Sequence, residues 1–209
     1  MSIRGLYAIT DPALMPGELL ELKVAAALQG GCRLIQYRNK SANYSQQLQE
    51  AKRLNDLCRQ YQAALIVNDN LDLAVSVQAA GVHLGQTDTD IAVARKKVSS
   101  EFIIGATCHA SLSLASVAQQ KGADYLAFGR FFPSRTKASA PPADPNIIQQ
   151  AKQTTDLPVV AIGGITEDNV QTLIDVGANG VAMCFELFNH DDPQKIRAKT
   201  ERISAMFYA

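Results

Sequence analysis

The chain has no tryptophan, only three histidines, and no net charge, with 20 Lys and Arg set against 20 Asp and Glu. A neutral balance offers no basic footprint for nucleic acid and no cationic face for a membrane surface. Neither partner is expected, and any anion site must be a local cluster. No apolar run is long enough to span a bilayer. The opening MSIRGLYAITDPALMPG lacks the apolar h-region of a secretory signal, so a cytoplasmic location is the expectation. Cys32, Cys58, Cys108 and Cys184 lie far apart and form no CxxC pair. That spacing suits neither a disulfide framework nor a zinc site, and buried free thiols are expected instead. No G-x-G-x-x-G follows the first apolar run, which argues against a dinucleotide-binding sheet.

What remains is an ordinary globular composition, 47% hydrophobic and 19% charged over 209 residues, enough to build a sizeable core. Short apolar runs alternate with amphipathic stretches from end to end. The candidate strands are Gly5–Thr10, Cys32–Arg38, Ala64–Asp69, Gly81–Gly85, Phe102–Thr107, Asp124–Gly129, Pro158–Gly163 and Gly180–Phe185. Continuously apolar strands suit a parallel sheet covered on both faces. Between them, stretches such as GELLELKVAAALQGG and SQQLQEAKRLNDLCRQ carry apolar residues at helical spacing. LSLASVAQQKGA ends at Gly122, a candidate C-cap, and TEDNVQTLIDVGA opens with Thr166 or Asp168 as candidate N-caps. A last helix is expected after Pro193. The joints QGGCRLIQ, QAAGVHLG, QKGADYLAFG and DVGANGVAM repeat one helix-to-strand passage. Together these predict an α/β fold: one (β/α)8 TIM barrel over residues 1–209, with its active site at the C-terminal ends of the strands. A doubly wound open sheet is the runner-up.

The polar residues gather at those strand ends. In LIQYRNK, Gln36, Arg38 and Lys40 are spaced by two and so share one face of an extended chain, while Tyr37 and Asn39 point the other way. If Leu34 faces the interior, so do the first three, and cations placed there need an anion. The third strand ends at Asn68 and Asp69, and Asp88 follows the fourth. Two carboxylates on neighbouring strand ends can share one Mg2+, with a substrate phosphate completing its shell. They can equally be N-caps, Asp69 or Asn70 before LDLAVSV and Asp88 or Asp90 before IAVARKK. After the fifth strand, Thr107 and His109 share a face with Cys108 opposite, which argues against a Cys–His nucleophile pair.

The stretch GRFFPSRTKAS follows the sixth strand, and its Ser134, Arg135, Thr136 and Lys137 offer hydroxyls and charge for an oxyanion. After the seventh strand, Gly163 and Gly164 precede a helix start, a natural seat for a phosphate. Two anion seats result, one from strands two to six and one from six to eight.

Taken in order, LYAITDP, QYRNK, LIVNDNLDLA, GVHLGQTD, IGATCHA, DYLAFGRFFPSRTK and VVAIGGITEDNV closely resemble the thiamine phosphate synthase (thiamine-phosphate pyrophosphorylase) family over almost the whole chain. The resemblance implies a transferase of thiamine biosynthesis that condenses 4-amino-5-hydroxymethyl-2-methylpyrimidine diphosphate with hydroxyethylthiazole phosphate. The products would be thiamine phosphate and pyrophosphate, formed by Mg2+-assisted dissociative displacement. It implies a pyrimidine-diphosphate site at Gln36, Tyr37, Arg38, Asn39, Lys40, Asn68, Thr107 and Lys137, with Arg38, Lys40 and Lys137 catalytic. It implies a thiazole-phosphate site at Ser134, Arg135, Thr136 and Gly164, and Mg2+ on Asp69 and Asp88. The chain departs from the family pattern at Asn39, usually acidic, at Thr107, more often serine, and at Cys184–Phe185, where a valine or isoleucine and a serine are usual. Two other readings compete: a thiazole tautomerase of the same barrel family, for which His109 is the available proton carrier, and a non-catalytic barrel that binds thiamine precursors. The partners implied are two phosphorylated small molecules, and the sequence leaves a homo-oligomer open.

Overall fold

A computed structural model of the protein describes residues 3–133 and 142–208. Eight strands run β1 Gly5–Ile9, β2 Leu34–Tyr37, β3 Ala64–Asn68, β4 Gly81–Leu84, β5 Ile103–His109, β6 Tyr125–Phe128, β7 Val159–Ile162 and β8 Gly180–Met183. Each pairs in parallel with the next, and β8 pairs with β1, closing the barrel. The expected (β/α)8 barrel is therefore the observed fold, and the open sheet is excluded because among the described residues every strand is paired on both sides in a closed ring.

Side-chain alternation explains why nearly every strand residue is buried. One set, including Tyr7, Ile9, Leu34, Ala64, Ile66, Tyr125, Ala127, Val160 and Ala182, forms a compact cluster that fills the barrel. The other set, including Leu6, Ile35, Leu65, Val67, Val82, Ile104, Leu126 and Val181, packs outward in the larger cluster that the helices cover. Both faces of each strand meet apolar neighbours, as a parallel sheet requires.

The helices are α1 Leu19–Gln29, α2 Tyr44–Gln60, α3 Leu71–Ser76, α4 Ile91–Lys97, α5 Leu112–Gln120, α6 Asn146–Thr154, α7 Val170–Asp175, α8 Phe185–Phe188 and α9 Pro193–Ala205. Asn43 caps α2 through the Gln46 N–H, and Asp192 caps α9, whose first residue is a proline, as suits that position. Gly122 sits one residue past the C-cap Lys121 of α5, at a φ of +93°.

Three local expectations need correction. Neither Thr166 nor Asp168 caps α7; Asn169 holds that place and its side chain turns back to accept from the Thr166 N–H at 2.8 Å. Strand β5 runs on to His109, with a register shift against β6 between Thr107 and His109. Phe185 is not the end of β8 but the start of α8, a four-residue helix with no amphipathic period long enough to read. Among the described residues no helix is long and apolar enough to cross a membrane. The thiols of Cys32, Cys58 and Cys108 are buried, and that burial pushes them up to about 11, 12 and 12, so they stay protonated.

Candidate active site

The C-terminal ends of the strands surround a cavity of about 250 Å3. One side of its wall is polar: Gln36 and Arg38 from β2, Asn68 from β3, His83 from β4, and Thr107 and His109 from β5. The other side is built from Gly163, Gly164 and Thr166 after β7 and from Cys184, Phe185 and Glu186 after β8.

Strand β2 divides its polar end between two faces. Gln36 is 3% exposed and points inward, donating to the Tyr7 hydroxyl at 2.9 Å. Arg38 follows on the same face, its backbone N–H held by the Thr10 hydroxyl at 2.8 Å. Tyr37 and Asn39 turn the other way, toward α2. Tyr37 donates to Glu50 at 2.7 Å and Asn39 donates to the same Oε2 at 3.0 Å. Asn39 also accepts from the N–H groups of Ser41 and Ala42, closing an Asx turn. Neither side chain lines the main cavity, because the alternation that brings Gln36 and Arg38 in sends these two toward α2, where with Arg38 they line a second, smaller pocket. Burial alone would push the Glu50 carboxyl up, but hydrogen bonds from Asn39, Tyr37 and Gln46, with Arg53 nearby, hold it below the usual glutamate range.

Asp69 and Asp88 lie at the rim beside this wall. Capping does not account for them. Asn70 caps α3 through the Leu73 N–H, and Asp90 caps α4 through the N–H groups of Ala92 and Val93. Asp69 instead sits in the left-handed region at φ +64°, and its N–H bonds to the His83 carbonyl at 2.8 Å. Such a conformation is uncommon outside glycine, though aspartate tolerates it. Its carboxylate pairs with Lys40 at 2.8 Å and hydrogen-bonds Asp88. Asp88 also accepts from the Gly85 N–H at 2.7 Å. Burial would raise Asp69, but Lys40, with Asp88 and His83, holds the carboxyl low. Asp88 is raised, by burial first and then by the neighbouring Asp69 charge, with the Gly85 N–H opposing. Two carboxylates in contact, one pushed up by the other, are a donor pair suited to a hard cation. Among the described residues no cluster of three or more His, Cys, Asp or Glu side chains could hold a metal by protein ligands alone. Mg2+ needs no such cage, because it takes one or two carboxylates and fills its shell with water and phosphate oxygens. The residues fit that ion.

Sequence reasoning missed a polar chain through the barrel interior. Tyr7 and Tyr125 share a hydrogen bond of 2.9 Å, Tyr125 meets His83 Nδ1 at 2.9 Å, and His83 Nε2 meets the Thr107 hydroxyl at 2.9 Å. The available signal was parity: Tyr7, His83 and Tyr125 each occupy an inward position of a strand otherwise apolar on that face.

The turn after β7 explains its glycine pair. A Cβ at Gly163 would lie 2.2 Å from the Arg130 Cβ, and one at Gly164 would lie 2.3 Å from the Pro133 carbonyl oxygen. Both also have positive φ, 102° and 66°. The loops after β6 and β7 thus touch backbone to backbone, and only glycine permits it. Ser134, Arg135, Thr136 and Lys137 lie outside the described residues. Cys184 and Phe185 line the cavity, with Cys184 just past β8 at the N-cap position of α8 and Phe185 opening that helix.

Residues 6–187 match the family model described as thiamine monophosphate synthase. A thiamine-phosphate synthase from Alcanivorax borkumensis is 50% identical over 205 residues, covering 98% of this chain and 94% of the relative. Another, from Marinobacter nauticus, is 48% identical over 203 residues, with 97% and 90% covered. Among solved structures, a thiamine phosphate pyrophosphorylase from Pyrococcus furiosus is 35% identical with a TM-score of 0.86, covering 98% of this chain and 95% of that one.

Proposed function

We propose, from the premise that the chain belongs to the thiamine monophosphate synthase family and is a transferase with thiamine-phosphate synthase activity, that its polar rim draws pyrophosphate off the pyrimidine diphosphate. The bond from the pyrimidine methylene carbon to the diphosphate oxygen breaks, and its electron pair leaves with pyrophosphate. The electron-rich aminopyrimidine ring stabilises the methylene cation, and the lone pair of the thiazole nitrogen then forms the new C–N bond. That nitrogen carries no proton, so no general base is needed and His109 has no proton to move.

The chain's task is then electrostatic. Arg38 in the cavity wall and Lys40 at the rim neutralise charge growing on the leaving group. Lys137, outside the described residues, is the third cation of the set. Gln36, Asn68 and Thr107 orient the pyrimidine and its diphosphate. Asp69 and Asp88 would hold Mg2+, which supplies further charge neutralisation for pyrophosphate when bound. The thiazole phosphate would rest on the Gly163–Gly164 backbone across the cavity, together with Ser134, Arg135 and Thr136. The observation that carries this reading is the freedom of Asp69 and Asp88 from capping, because Asn70 and Asp90 do that work. The relatives' shared name favours the synthase over a tautomerase or a precursor-binding barrel. Reduced thiols and small phosphorylated substrates suit a cytoplasmic setting.

Incubating the protein with both substrates and Mg2+ tests the reading. Pyrophosphate should appear in step with thiamine phosphate and only when both substrates are present. Product without pyrophosphate, or a rate indifferent to chelation of the cation, overturns it.

A further inference from the structure

The interior chain of hydrogen bonds runs from one ligand-facing side chain to another. Gln36 and Thr107 both line the cavity. Between them lie Tyr7, Tyr125 and His83, each link 2.9 Å long. The rings are also fixed by packing: His83 stacks on Tyr125 at 5.5 Å between centroids and 25° between planes, and Tyr7 meets Tyr125 edge-on at 6.0 Å. Space for the Tyr125 ring is created on β5, where a Cβ at Gly105 would lie 2.0 Å from the Tyr125 Cζ. Glycine at 105 is thus a requirement of the chain of bonds, not a spare position on the strand.

Taken with a single ring proton, His83 donates from one nitrogen and accepts at the other, and each hydroxyl between the ends gives one proton to the chain. The direction of every bond is then set by any one of them. If His83 Nε2–H donates to Thr107, Nδ1 accepts from Tyr125, Tyr125 accepts from Tyr7, and Tyr7 accepts from the Gln36 amide nitrogen. Thr107 is left with a proton to give, and Gln36 presents its carbonyl oxygen. Reversal of the chain makes Thr107 an acceptor and Gln36 a donor. Burial raises both phenols, so neither loses the proton the chain needs.

We propose that Tyr7, Tyr125 and His83 are positioning residues that couple the polarity of Gln36 to that of Thr107, so that seating a diphosphate selects an amino-substituted pyrimidine over an oxo-substituted one. The inference rests on the pyrimidine-diphosphate reading of the cavity. A diphosphate only accepts, so Thr107 must donate to it. That fixes Gln36 as an acceptor, which suits an exocyclic amino group and leaves the carbonyl of a 4-oxo ring facing another oxygen.

Titration calorimetry with the 4-amino and 4-oxo pyrimidine diphosphates, in the presence of Mg2+, tests this without turnover. In Tyr125→Phe the preference for the amino ligand, read as the ratio of the two Kd values, should fall about tenfold, the worth of one hydrogen bond's bias. The Kd for the thiazole phosphate should not move. Tyr7→Phe breaks the same chain one link away and should act alike, which keeps the test alive if the first variant does not fold. A ratio unchanged in both, whether or not the ligands weaken together, overturns the coupling and leaves the synthase reading intact. Failure of the unsubstituted protein to bind either diphosphate overturns that reading, and the coupling with it.

Discussion

The two faces of the β2 end sit one residue apart and do different work. Inward, Gln36 and Arg38 reach the cavity, and Lys40 beyond them pairs with the rim carboxylate Asp69. Outward, Tyr37 and Asn39 converge on Glu50 of α2 and tie the strand to its helix. Both faces are polar and both are well bonded. What separates them is where the bonds lead. The outward set converges on half-buried Glu50 of α2 beside a smaller pocket, whereas the inward set ends at the main cavity. A polar motif at a strand end is thus two motifs interleaved, and only alternation tells them apart.

Substitutions should split along that line. Arg38→Ala is the strongest test: turnover should fall about 10²–10³-fold, the scale of one lost transition-state contact. The thermal midpoint should hardly change, since the guanidinium is not part of the outward network. Steady-state kinetics beside a melting curve decides it, and a destabilised protein with normal turnover would erase the distinction. Asp88→Asn should raise the Mg2+ concentration for half-maximal rate by at least about tenfold, read from a magnesium titration at saturating substrates. An unchanged titration removes Asp88 from the metal site.

On the outward face the expected effects are smaller and opposite in kind. Glu50→Gln should lower unfolding free energy by about 1–2 kcal/mol, from charge-assisted bonds to Tyr37 and Asn39 made neutral. Turnover per folded molecule should be kept, as denaturant unfolding and kinetics on the same sample would show. The smallest effect is in pH. The folded Glu50 carboxyl lies below its ordinary range, so the unfolded chain takes up the proton first and acid favours unfolding. Its stabilising contribution is complete above the usual glutamate range and is lost as pH falls through the depressed folded value. Glu50→Gln should therefore flatten the acid limb of stability against pH; a limb as steep as before would mean the carboxyl is not held by these bonds.

Much of this was legible from local pattern. All eight strands fall where apolar runs between helical stretches put them, because parallel strands buried on both faces need such runs. The inward placement of Gln36 and Arg38 and the outward placement of Cys108 follow from alternation alone. Capping was not legible: Asp69 beside Asn70, and Asp88 beside Asp90, offer equal side-chain chemistry, and only backbone geometry shows which one reaches the helix N–H groups. Helix α8 was missed because four residues carry no period. The chain through Tyr7, His83 and Tyr125 joins β1, β4 and β6, whose side chains meet only when the barrel closes. Each alone reads as a core residue with a polar tip.

The most direct measurement is a crystal structure of the protein with the pyrimidine diphosphate and Mg2+ bound. The expected result has diphosphate oxygens against the Arg38 guanidinium and on a cation held by Asp69 and Asp88. A diphosphate seated instead on the Gly163–Gly164 turn, with both carboxylates untouched by metal, would contradict it.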